Sequence, residues 1–123
     1  MNKDPAMTQS TPSPHPATDS LVELRERQRQ FAAGRDWEQF HTPKNLAMSV
    51  AIEADEIMEH FQWLNPAQSA ALDAADRHEV GLEIADVLLY LIRLADVLDI
   101  DMAAAAREKI GLNALKYPAQ RGL

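Results

Sequence analysis

The chain contains no cysteine, which excludes disulfides, thiolate metal sites and a cysteine nucleophile. Glycine is scarce, four residues in 123, while alanine and leucine abound; that balance favours helix over sheet. Long apolar runs are missing too. None approaches the roughly 20 residues that a membrane span needs, and the N-terminus lacks the apolar core of a signal peptide. The chain is therefore expected to have no membrane partner and to reside in the reducing cytoplasm. Basic charge is also short, with 12 Lys and Arg against 19 Asp and Glu and a net charge of −7. A nucleic-acid polymer needs a basic footprint and is not an expected partner. A nucleotide substrate remains open, because a divalent cation bridges carboxylates and phosphates.

What is present suits one globular domain: 46% hydrophobic and 25% charged residues. Residues 1–18 hold four of the seven prolines, many Ser and Thr, and no apolar period. They read as a disordered tail with His15 solvated. Residues 19–118 form the expected domain and 119–123 a short C-terminal tail. In the segment DSLVELRERQRQFAA, Leu21, Leu24, Gln28 and Phe31 recur at helical spacing. Asp19 or Ser20 is the expected cap and Gly34 the stop. An aromatic-rich loop, RDWEQFH, follows. Thr42 and Pro43 open a second helix running to about Leu64. Asn65 and Pro66 repeat that signal and lead, after a break near Asp73 to Arg77, into VGLEIADVLLYLIRLADVL. Asp101 caps a last helix that ends before Pro118. Four principal helices with short connections, an all-α four-helix-bundle type of fold, is the expectation.

Two of these helices carry acidic residues beside their apolar stripes. At 100° per residue, Leu46, Val50, Ile57, Phe61 and Leu64 fall about 20° to 80° from Glu53. Glu56 stands one turn on; Asp55 and Glu59 point away. On the next long helix Val80, Val87, Leu91, Leu94 and Leu98 take the same positions relative to Glu83, with Asp86 one turn on. That helix is apolar nearly all round and reads as central and buried. Carboxylates inside it are costly unless compensated. If the helices pack side by side, Glu53, Glu56, Glu83 and Asp86 converge, repel and raise one another's pKa values. A divalent cation relieves this, and all-oxygen ligation suits Mg²⁺ or Mn²⁺ rather than Zn²⁺. Salt-bridged or solvated helix faces are the plainer alternative. A di-iron bundle is disfavoured, because those sites use Glu-x-x-His on their helices. On these two helices His60 follows Glu56 by four and His78 precedes Glu83 by five.

At EADE 53–56 and EIAD 83–86 the sequence resembles the MazG-like, all-α nucleotide pyrophosphohydrolase superfamily, whose hallmark is Glu-x-x-Glu, a spacer, then Glu-x-x-Asp. The stretch FAAGRDWEQFHTPKNL is similar to its dCTP pyrophosphatase branch, as are FQW at 61–63, DVLLYL at 86–91 and K-x-x-x-N-x-x-K-Y-P at 109–118. The resemblance spans about residues 21–118. It implies that Glu53, Glu56, Glu83 and Asp86 hold Mg²⁺ and form the catalytic centre. It places Lys109, Asn113, Lys116 and Tyr117 at phosphate or sugar, and Lys44 and Asn45 at further polar contacts. Trp37, Phe40, His41, Trp63 and Tyr90 would line the base and sugar pocket. Trp63 and Tyr90 also suit a plain core role, Lys116 a helix-terminal charge, and Arg93 a structural ion pair. Two positions depart from the branch: Gln28 stands where animal members tend to carry a His facing the base, and Gly111 where an acidic residue is frequent.

The implied reaction is metal-assisted cleavage of a nucleoside triphosphate, dCTP or 5-modified dCTP, to the monophosphate and pyrophosphate in nucleotide-pool sanitation. Glu56 is the candidate general base. A broad dNTP/NTP pyrophosphohydrolase and a non-catalytic helical module binding a nucleotide or partner are the alternatives. The core of so short a chain is thin. The resemblance implies a homo-oligomer, a dimer or a tetramer built as a dimer of dimers, with substrate pockets between subunits.

Overall fold

The computed structural model describes residues 17–120, so His15, most of the expected tail and residues 121–123 lie outside it. The described part is helical without strands: α1 (Ala17–Gly34), a 3₁₀ turn (Glu38–Phe40), α2 (Pro43–Glu59), a short α3 (Pro66–Ser69), α4 (Ala74–Val97) and α5 (Met102–Lys116). No helix in it is long and apolar enough to cross a membrane.

Four starts follow from their caps. Thr42 Oγ1 accepts from the Asn45 N–H ahead of Pro43. Asn65 and Gln68 form a reciprocal capping box ahead of Pro66. Asp73 and Asp101 each accept from the N–H three residues on, at 2.8 and 3.0 Å. Other boundaries differ from the sequence expectation. α1 begins at Ala17, so Asp19 and Ser20 lie inside it and not at its start. α2 ends at Glu59; residues 60–63 continue only as a turn, because Asn65 and Pro66 start the next helix a few residues later. α3 and α4 are separate helices, divided at residues 70–73.

Two helices stop in the same unanticipated way. After α1 the Trp37 N–H reaches the Ala32 carbonyl at 3.0 Å and the Asp36 N–H the Ala33 carbonyl at 3.3 Å, with Asp36 at φ 54. After α4 the Ile100 N–H reaches Ala95 at 2.8 Å and the Asp99 N–H reaches Asp96 at 3.1 Å, with Asp99 at φ 56. These are Schellman closures whose left-handed residue is aspartate rather than the usual glycine. Gly34 is thus the last helical residue of α1, and Asp36 makes the stop. Asp99→Gly removes the Cβ cost of positive φ and is expected to raise stability by about 0.5 kcal/mol in urea unfolding.

α2 packs along α4, α1 crosses α4, and α5 touches α1. Ala32, Leu46, Val80, Ile92 and Ala95 form the buried apolar core among the described residues. α4 departs from expectation here: Ile84 and Leu91 on one side and Leu82 on the other are exposed, so this apolar helix is only partly covered among the described residues. Met48 and Ile52 on α2 and Ile110 on α5 are likewise bare, and Leu115 is 81% exposed.

Candidate active site

The α2·α4 contact places the two acidic motifs against each other. Glu53, Glu56 and Glu83 each contribute an oxygen to a group whose members all lie within 4.8 Å of one another. Burial, then the adjoining Glu56 carboxylate, raises the Glu53 pKa above its ordinary value. Glu83 is raised as well, first by its close contact with the Glu56 carboxylate and then by burial. Asp86 adds to both shifts through its charge. His60 is the nearest basic group, its Nε2 4.0 Å from Glu83 Oε1. Glu83 Oε2 is buried without a hydrogen-bond partner. Unsatisfied buried oxygens are costly. An all-carboxylate oxygen set with a free lone pair and too little counter-charge fits a hard divalent cation.

Beside this group lies a cleft of about 480 Å³. Leu24, Gln28 and Phe31 of α1 form one wall, Trp37 and His41 of the connection a second, and Asp86, Tyr90 and Arg93 of α4 a third. The Trp37 ring packs edge-on against Phe31 at 5.3 Å and against His41 at 6.4 Å between centroids. Asp86 lines the cleft one helical turn from Glu83, so the aromatic cavity and the acidic group adjoin.

Arg93 is buried and tied on both sides. Its Nε donates to His41 Nδ1 at 3.0 Å and its Nη1 to Asp96 Oδ2 at 3.3 Å. Asp96 also accepts two hydrogen bonds from Arg29 of α1, one of them from Nε at 2.8 Å. The structural ion pair expected of Arg93 is therefore present, and the same guanidinium faces the cleft. Glu38 and His41 of the connection share the Glu-x-x-His spacing, but the metal-capable group among the described residues is Glu53, Glu56 and Glu83 and includes neither of them.

The chain thus brings together Glu53, Glu56, Glu83 and Asp86 with Trp37, His41 and Tyr90. The remaining expected contacts lie elsewhere. Trp63, in the turn after α2, is 85% exposed and off the cleft. Phe40 is exposed and lines no part of it. Lys44 and Asn45 are exposed on the first turn of α2, where the Asn45 amide donates to the Phe40 carbonyl at 3.1 Å. Lys109, Asn113, Lys116 and Tyr117 are exposed on and just after α5, none lining the cleft, with the Lys116 ammonium 5.3 Å from the Tyr117 ring centroid. Sequence reasoning did not single out Arg27 or Leu89 as cleft residues. The α1 apolar stripe was the available signal for its wall. Gln28 sits in that stripe; its Nε2 donates to the Leu89 carbonyl at 2.9 Å, and its Oε1 is buried without a partner.

Comparison with known proteins places this geometry. The MazG-like family model matches residues 48–122, which includes both acidic motifs. The chain is 38% identical over 109 residues to human dCTP pyrophosphatase 1, covering 87% of this chain and 62% of that protein. It is 38% identical to the rat protein of the same name, with 86% and 62% covered. The chain therefore spans about three-fifths of the length of these curated relatives. A solved pyrophosphatase from Archaeoglobus fulgidus superposes with a TM-score of 0.63 at 35% identity, covering 89% of this chain and 100% of that one. With its all-α architecture and paired acidic motifs, the chain belongs to the MazG-like family.

Proposed function

We propose that the protein is a Mg²⁺-dependent nucleoside triphosphate pyrophosphohydrolase that acts on dCTP and 5-modified dCTP. The observation that carries this is the adjacency of an aromatic cleft to three clustered glutamates, with Asp86 between them. The named activity of the human and rat relatives supports the same reading. Trp37, Tyr90 and Phe31 offer ring faces on which a base stacks. Glu53, Glu56, Glu83 and Asp86 are the residues that would hold the cation, which supplies Lewis acidity and charge neutralisation at phosphate oxygens. Water adds to the α-phosphorus and the bond to the bridging oxygen of the β-phosphate breaks, giving the monophosphate and pyrophosphate. Glu56, in contact with Glu83 and near Glu53, is the proposed acceptor of the water's proton.

In one chain the lysines of α5 line no part of the cleft, so Lys109, Asn113, Lys116 and Tyr117, with Lys44, Asn45 and Trp63, are proposed to reach substrate in the assembled oligomer. The bare apolar faces of α2, α4 and α5 support a homo-oligomer, a tetramer made from two dimers. Its place of action is proposed to be the cytoplasm. Pyrophosphate release across a nucleotide panel with Mg²⁺ tests the activity; dCTP and 5-modified dCTP are expected to lead. Equal rates on purines and pyrimidines would favour a broad pyrophosphohydrolase, and no release from any nucleotide would leave only a binding module. Light scattering that shows a monomer at micromolar concentration would remove the oligomer.

A further inference from the structure

His41 stands in the cleft with one ring nitrogen committed. Arginine donates and cannot accept, so the Arg93 Nε–H aimed at Nδ1 from 3.0 Å requires a lone pair there. A doubly protonated imidazole has none. The tautomer protonated on Nδ1 has none either. One form remains, the neutral ring carrying its proton on Nε2. Nε2 has no protein partner among the described residues and is not among the buried unpartnered atoms, so the cleft is where that N–H can be used.

We propose that Arg93 is a positioning residue that locks His41 as a neutral Nε2–H imidazole, giving the cleft one directed donor for a carbonyl oxygen of the substrate base. Arg93 is itself fixed. Its side chain is 8% exposed, and Asp96 holds its Nη1 while Arg29 holds Asp96 from α1. The lock therefore draws on α1, α4 and the connection together. Burial first, then the Arg93 charge, keeps the His41 imidazole below its usual pKa, against a smaller opposing pull from Glu38 on its own turn. In this state His41 offers a hydrogen bond and no basic nitrogen, which keeps it out of proton transfer and assigns that task to the carboxylates. Cytosine, uracil and thymine all carry a ring carbonyl beside the sugar bond, and a flat base between Phe31, Trp37 and Tyr90 can present it to an in-plane donor.

The tautomer does not depend on any activity. The substrate part rests on the nucleotide reading above, so the two are tested separately. Full-length protein labelled with ¹⁵N-histidine is examined at neutral pH by long-range ¹H–¹⁵N correlation, and His41→Gln identifies the His41 signals by their loss. Nε2 should show the protonated shift and Nδ1 the unprotonated one. A Nδ1–H pattern, an averaged pattern or a doubly protonated ring overturns the lock. In Arg93→Met, if it folds by circular dichroism, the His41 signals should average. The wild-type spectrum decides the matter if it does not fold. In the second arm, His41→Leu should raise the KM for dCTP about tenfold, the scale of one hydrogen bond, with less change in kcat. His41→Gln, which keeps an N–H donor, should lose less. An unchanged KM in His41→Leu overturns the donor role. Absence of turnover in the wild type would count against the proposed function alone and leave the spectrum as the judge of the lock.

Discussion

Glu83→Gln should lose pyrophosphate release by at least about a hundredfold while melting no lower than the wild type in metal-free buffer. Outer-shell partners of metal ligands already cost up to about a hundredfold, so loss of a ligand sets a floor at that scale. The stability half follows from charge. Glu83 stands among Glu53, Glu56 and Asp86 with only His60 as a basic group within 4.0 Å among the described residues, and its pKa is raised by its contact with Glu56 and by burial. The folded chain binds these protons more tightly than the unfolded chain does, so metal-free stability falls as pH rises through the carboxylate range. A neutral amide at position 83 removes part of that penalty. Mg²⁺ should raise the melting temperature of the wild type, since a cation that binds only the folded state at a hundred times its Kd stabilises by about 2.7 kcal/mol. Glu83→Gln should lose that shift. Thermal melts with and without Mg²⁺, beside a pyrophosphate assay, read all three effects. Wild-type turnover in the variant would remove the carboxylate cluster from the chemistry.

Asp96→Ala is expected to cost about 3 kcal/mol of stability, because it leaves Arg93 buried without its anion. The Asp96 side chain is 9% exposed and Arg93 8%. Arg29 is half exposed and turns to water at little cost, so the loss arises on the Arg93 side. The pH dependence runs opposite to that of the glutamates. The hydrogen bonds from Arg29 hold the Asp96 carboxyl below its usual range, helped by the charges of Arg29 and Arg93 and opposed by burial. Its contribution is therefore fully present above about pH 4, the unfolded value, and is lost as pH falls through the lower folded one. Urea midpoints of wild type and Asp96→Ala should differ most at neutral pH and converge in strong acid. A constant gap down to acid pH would mean that Asp96 acts through packing and not through charge.

Much of the architecture could be read from single residues. Thr42, Asn65 and Asp101 announce their helices because a side-chain oxygen three residues before an orphan N–H is a local fact, whereas Asp73 was read as the start of a break and is the cap of α4. Glu53, Glu56 and Glu83 were legible because helical period alone fixes their angle to Leu46, Ile57 and Val80. The closures at Asp36 and Asp99 were not, since nothing in an aspartate announces positive φ. A structural ion pair was expected of Arg93, but the rest of the Arg29–Asp96–Arg93–His41 chain was hidden for another reason: two of its links join residues more than fifty positions apart. α4 exposes a more general limit. An apolar face states that something must cover it, and the sequence of one chain does not say whether the cover is its own.

That uncovered face has a consequence for how the protein holds together. With Ala32, Leu46, Val80, Ile92 and Ala95 as its sealed interior, a lone copy has little to resist unfolding. In the proposed oligomer, where other copies would close over Leu82, Ile84 and Met48, folding and association would be one equilibrium, and dilution would act on this molecule as a denaturant does.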